Sequence, residues 1–133
     1  MRFEINTPRA WRCVVLMLPL LSAPLFAHHA ISAFDRDDSV SVSGTVTKWQ
    51  FINPHAGIWL DVINENGDVE IWSGEFQGTL DLYRYYSWNK DTFTPGDEIT
   101  LTGFPARNGD TTMAVGLVGF ADSEEVDVRS APD

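Results

Sequence analysis

The chain has 133 residues, with 9 Lys or Arg against 19 Asp or Glu and a formal net charge of −10. That length predicts one domain, and the acidic balance repels phosphate backbones and anionic headgroups, which argues against a nucleic-acid partner. A single cysteine, Cys13, excludes an internal disulfide.

Residues 1–27 read as a secretory signal. Arg2, Arg9 and Arg12 supply a positive start, Cys13 to Phe26 is almost wholly apolar, and Ala27 offers a cleavage point. The apolar run falls short of the roughly 20 residues that span a bilayer. An uncleaved anchor is the alternative, and cleavage after Ala23 would leave Pro24 first. Cys13 follows Trp11-Arg12, which is no lipid-attachment context. The expected product is periplasmic or secreted, with no stable membrane insertion. Cleavage after Ala27 removes three basic residues, one acidic residue and the cysteine, which takes the net charge to −12. The mature fold must then rest on packing alone.

The mature chain opens with a polar lead-in around Phe34. Val40, Val42, Gly44 and Val46 then alternate with Ser41, Ser43, Thr45 and Thr47, the pattern of a half-buried strand. The apolar parity switches at Trp49 and Phe51, which predicts a bulge. Asn53-Pro54 breaks the run. Ile58, Leu60 and Val62 alternate with Trp59, Asp61 and Ile63 in a second strand, "NENGD" (64–68) predicts a hairpin turn, and Val69 and Ile71 alternate with Glu70 and Trp72 in a third. Residues 79–87 predict a short helix, with Thr79 as a plausible N-cap and Asp81 in the first turn. "TPGD" (94–97) and "RNGD" (107–110) are turns, and the strands around Ile99-Leu101 and Met113–Leu117 complete the set. Three strands, a helix and two strands is the succession of a small five-stranded OB-like barrel, mainly β, with one short helix between strands three and four. A small β-sandwich is the alternative. The expected organisation is a cleavable signal peptide (1–27), an OB-like barrel domain with its N-terminal lead-in (28–121) and an acidic flexible tail (122–133).

The stretch "HHAISAFDRDDSVSVSGTVTKWQFINPHAGIWLDV" resembles a family of small exported bacterial proteins of uncharacterised function. The likeness rests on His28-His29, Phe34-Asp35, Gly44-Thr45-Val46, Asn53-Pro54-His55 and Trp59, with "TFTPGDEITLTGFPARNGD" resembling the family's Pro-Gly-Asp strand and following turn. It covers nearly the whole mature chain. One departure is Ser87, before Trp88, where the family usually has glycine. The resemblance implies export and supplies no activity.

Chemistry is sparse. There is no phosphate loop, no Gly-x-Ser-x-Gly and no cysteine nucleophile in the mature chain, and Glu70 and Glu75 do not read as an acid–base pair. No enzymatic activity is expected. The three histidines are the candidate metal ligands. Cleavage after Ala27 gives His28 a free α-amine, with an ordinary pKa of about 8. That amine and the His28 imidazole, or the amine with His29, can chelate one ion, and His55 can add a third nitrogen. Such donors suit copper(II), and also accept nickel or zinc. Asp35 is a candidate oxygen ligand. The opposite expectation gives the histidines no metal and makes the domain a ligand- or protein-interaction module. Trp49, Trp59 and Trp72 then form an aromatic face beside Asn53, able to stack a small organic ligand or meet a periplasmic protein partner.

Overall fold

The structure, a computed structural model, describes residues 31–121, 123 and 125–129. The expected signal peptide, His28, His29 and parts of the acidic tail lie outside the described residues. The chain runs β1 (Val40–Gln50), β2 (Gly57–Ile63), β3 (Val69–Glu75), α1 (Thr79–Tyr86), β4 (Glu98–Pro105), β5 (Thr112–Phe120) and β6 (Val126–Asp127), after a 3₁₀ turn at Ile31–Ala33. Among the described residues no helix is long and apolar enough to cross a membrane.

Strands β1 to β5 close into the expected OB-like barrel. β1 pairs with β4 through Val40–Thr45 and with β2 through Thr45–Gln50. It changes partner beside the bulge that the parity switch predicts, between Val46 and Lys48. β2 and β3 form an antiparallel hairpin, β4 and β5 a second, and a short parallel pairing of Ser73–Glu75 with Thr112–Ala114 closes the ring. Ile58, Leu60, Leu101, Met113 and Val118 fill the interior and are fully buried. Each such side chain contributes about 1.5–3 kcal/mol by leaving water.

The helix plugs the barrel between β3 and β4. Its Leu82 is fully buried, whereas Leu80 and Tyr83 face water. It ends at Ser87, whose φ of 59° and ψ of 21° are left-handed. That conformation favours glycine, which explains physically why a glycine was the expected residue there. Beneath the helix lies an aromatic cluster, in which Trp49 packs against Phe76, Trp88 and Phe93 with ring centroids 5.6, 6.4 and 5.0 Å away.

The C-terminal segment departs from the expectation of a loose tail. β6 pairs with Leu117-Val118, the Val128 amide donates to Gly116 O at 2.8 Å, and the Val128 side chain is buried. Val126 and Val128 flank Asp127 at the spacing of a strand, so apolar burial docks a segment whose overall composition is acidic.

Candidate functional site

The loop joining β1 and β2 (residues 51–56) carries Asn53, Pro54 and His55, and each residue has a separate task. Asn53 Oδ1 accepts from the Thr79 amide at 3.1 Å and the Thr79 hydroxyl at 2.9 Å. Gly78, at the helix N-cap, has no side chain to offer and makes no side-chain cap bond. Asn53 therefore caps α1 from a remote loop. Gly78 also gives the loop room, since a Cβ there would lie 3.3 Å from Pro54 O. The Asn53–Pro54 peptide is cis. Beyond it, the Ala56 amide donates to Gln77 O at 3.2 Å and the Phe76 amide to Ala56 O at 2.9 Å. These bonds extend the β2–β3 ladder past the Gly57–Glu75 pair and fix the backbone immediately after His55.

His55 Nδ1 contacts Glu75 Oε1. The pairing follows from hairpin register, because Glu75 lies opposite Gly57 and next to the loop. In the neutral tautomer that donates Nδ1–H to the carboxylate, Nε2 carries the lone pair. Both side chains are about two-fifths exposed, at 42% and 38%, and both border two cavities. The larger, about 440 Å³, lies over Phe34, Phe76 and Val115 and has Arg36 and Arg129 among its lining residues. The smaller, about 260 Å³, runs along Asn53, Gly57, Trp59 and Ser73.

The three tryptophans do not share a face. Trp49 lies opposite Ile58, in the core aromatic cluster, and its Nε1–H donates to Asn89 O at 2.9 Å. Trp72 lies opposite the buried Leu60, packs against the core and donates Nε1–H to Glu70 Oε2 at 2.9 Å. Trp59 sits on the outer surface, with its ring over Gly57 and Lys48 Nζ 4.5 Å from its centroid. The expected aromatic face beside Asn53 is therefore not assembled, and both acceptor sites of Asn53 Oδ1 are occupied by Thr79. The physical reason is the β2–β3 register. Ile63 faces outward and pairs with Val69, so Val69 and Ile71 face water at 60% and 62% exposure while Trp72 turns inward.

Asp35 is likewise engaged elsewhere, in an ion pair with Arg107 at 3.2 Å. Among the described residues no three of His, Cys, Asp and Glu gather where they could hold a metal. Glu75 is the site residue that sequence reasoning passed over. Counting outward along the hairpin from the Ile63–Val69 pair brings it beside His55.

The model of a family described as "Family of unknown function (DUF6152)" matches residues 17–115. The chain belongs to this family. The match takes in the loop of Asn53, Pro54 and His55, the Glu75 that meets His55, and helix α1 with its left-handed Ser87. No curated protein matches the chain.

Proposed function

We propose that the protein is an exported, non-enzymatic binding domain that holds a divalent metal, copper first, through His55 and the mature N-terminus. The observation that carries this is the contact between His55 Nδ1 and Glu75. Metal-binding histidines almost always donate their second ring nitrogen to a carboxylate or carbonyl, which fixes the tautomer and strengthens the ligating nitrogen. His55 Nε2 has that arrangement and borders a cavity also lined by Phe34 and Arg36 of the lead-in. His29 and Phe34 are five chain steps apart. Three of those steps run through the 3₁₀ turn at Ile31–Ala33, at about 2.0 Å each, and two can extend at about 3.4 Å, a reach of about 13 Å toward Nε2 for the His28 amine, its imidazole or His29. The donors are then nitrogens, which suit copper(II) better than magnesium or calcium.

The test is copper titration of the processed protein beside a form in which His28 and His29 are both replaced by alanine. The double substitution removes both imidazoles next to the amine. Binding at least about ten-fold tighter by the processed form, a difference of 1.4 kcal/mol, is the expected result. Equal and weak binding by both would sink the chelate.

A second function has its own observation. Ile63, Val69 and Ile71 stand 60–65% exposed on the outer face of the β2–β3 hairpin, on the same face as Trp59. That patch suits a metal-free interaction module whose partner is a periplasmic protein. Ile71→Lys would then abolish partner capture and leave copper affinity unchanged.

A further inference from the structure

The larger cavity carries an asymmetry of charge that a metal does not use. Of the six Lys and Arg residues beyond position 27, two, Arg36 and Arg129, line this one cavity. In a chain with three times as many acidic residues beyond that point, such a concentration of cations marks a place for negative charge. Of the carboxylates nearby, Asp35 holds Arg107, Glu75 contacts His55 and Asp127 holds Arg129, while Asp37 and Asp38, the sequence neighbours of Arg36, are not among the residues that line the cavity. Arg36 makes no ion pair with the described residues.

Arg129 is built into the wall. Its Nε and Nη2 donate to Asp127, which leaves the Nη1 edge of the guanidinium for another acceptor. Its stem lies against Gly116, where a Cβ would stand 3.0 Å from both Cγ and Cδ. The absence of a side chain at Gly116 is therefore what lets Arg129 lie flat on the barrel. The lead-in is held as firmly on the other side. The Asp35 amide donates to Pro105 O at 2.8 Å, the Arg107 amide to Ala33 O at 2.9 Å, and Phe34 bridges to Ala106. Two segments far apart in sequence thus bring one guanidinium each to the same opening. Below them the floor is apolar, made by Phe34, Phe76, Val115 and Val128, which are 4–8% exposed.

We propose that this cavity binds a small organic anion with an apolar body, its carboxylate held by Arg36 and the Nη1 edge of Arg129. The volume, about 440 Å³, lies within the range of about 300–1,000 Å³ found for small-molecule sites, and an apolar lining with a few convergent polar groups is their usual chemistry. An inorganic anion would leave the floor unused. A neutral apolar ligand would use neither guanidinium. This inference uses neither the mature N-terminus nor His55 Nε2, but it shares the cavity that His55 borders, so its test is run on protein freed of metal.

The test is calorimetric titration of the secreted protein, freed of metal with EDTA, using phenylacetate, octanoate, phenylacetamide and inorganic phosphate. Saturable binding of at least one of the two carboxylates is expected, with phenylacetamide and phosphate weaker by about ten-fold or more, the worth of a charge-assisted contact. Arg36→Gln weakens carboxylate binding about ten-fold and Arg36→Lys less, while the melting temperature of the free Arg36→Gln protein stays that of the parent. Gly116→Ala, which displaces the Arg129 stem, weakens binding as well. Equal binding of acid and amide, an Arg36→Gln protein that binds like the parent, or no saturation by either carboxylate overturns the proposal.

Discussion

Asn53→Ala separates a structural role for the Asn-Pro-His loop from a ligand-contacting one. The substitution removes one oxygen that accepts two hydrogen bonds from Thr79. Losing an N-terminal cap costs about 1 kcal/mol within a range of about 0.5–2, and the second bond adds about 0.5–1.5. Both partners are surface groups that water can reach, so the total is about 1.5–2.5 kcal/mol. At about 4–8 °C per kcal/mol for a domain of this size, melting falls by roughly 10 °C. Asn53→Asp keeps an acceptor and places a negative charge at the positive end of α1, so it melts within a few degrees of the parent. Thermal unfolding followed by circular dichroism gives the ranking, and hydrogen exchange gives the place, with faster exchange at Thr79–Leu82 in Asn53→Ala. An Asn53→Ala protein that melts with the parent, or an Asn53→Asp protein as damaged as Asn53→Ala, would refute the cap.

Ser87→Gly raises stability by about 0.5–1 kcal/mol, because Ser87 holds a left-handed φ of 59° that glycine adopts without steric penalty; chemical denaturation shows the midpoint rising with an unchanged slope. Trp49→Ala removes a ring wedged among Phe76, Trp88 and Phe93 and costs about 3–5 kcal/mol, whereas Trp59→Ala costs about 1 kcal/mol, its main loss being the Lys48 contact; the same denaturation assay reads both. The side-chain and backbone donors of Arg129 hold the Asp127 carboxyl down at about 2 from an ordinary 3.8. A depressed carboxyl pKa stabilises the fold above the ordinary value, and that stabilisation is lost as pH falls through about 2. The pair is about half exposed, so its worth is small. Carbon NMR titration of Asp127 should show the low midpoint, and Asp127→Asn should loosen the β6 segment.

Much of the barrel was legible because its signals are local. Strand alternation, the bulge in β1, the turns at 64–68, 94–97 and 107–110, and the span of α1 all follow from residues within a few positions of one another. Trp72 does not join the aromatic face expected for it, and the local pattern hides this, because Val69 and Ile71 are the aliphatic residues of that strand and aliphatics are ordinarily inside. The signal that outweighs them is non-local. Ile63 lies on the parity opposite Ile58, Leu60 and Val62, and the turn pairs it with Val69, so Val69 must face water. The same count along the hairpin brings Glu75 to His55, a pairing that composition and motif spacing do not reveal. The docking of Val126 and Val128 was hidden by acidic neighbours, since two valines are a weak strand signal until β5 supplies the edge that receives them. Asn53 was expected beside a ligand because it sits in the loop that borders the usual OB ligand face, and its partner Thr79 lies 26 residues away, beyond any local pattern.

The most direct test of a copper site at His55 is the metal content of the protein isolated with its own N-terminus from cells that express the full chain, measured beside His55→Ala. The predicted result is about one copper per chain in the parent, a loss of most of that copper in His55→Ala, and a melting temperature that rises when copper is restored to the stripped parent. Metal-free parent protein whose melting temperature does not respond to added copper would contradict it.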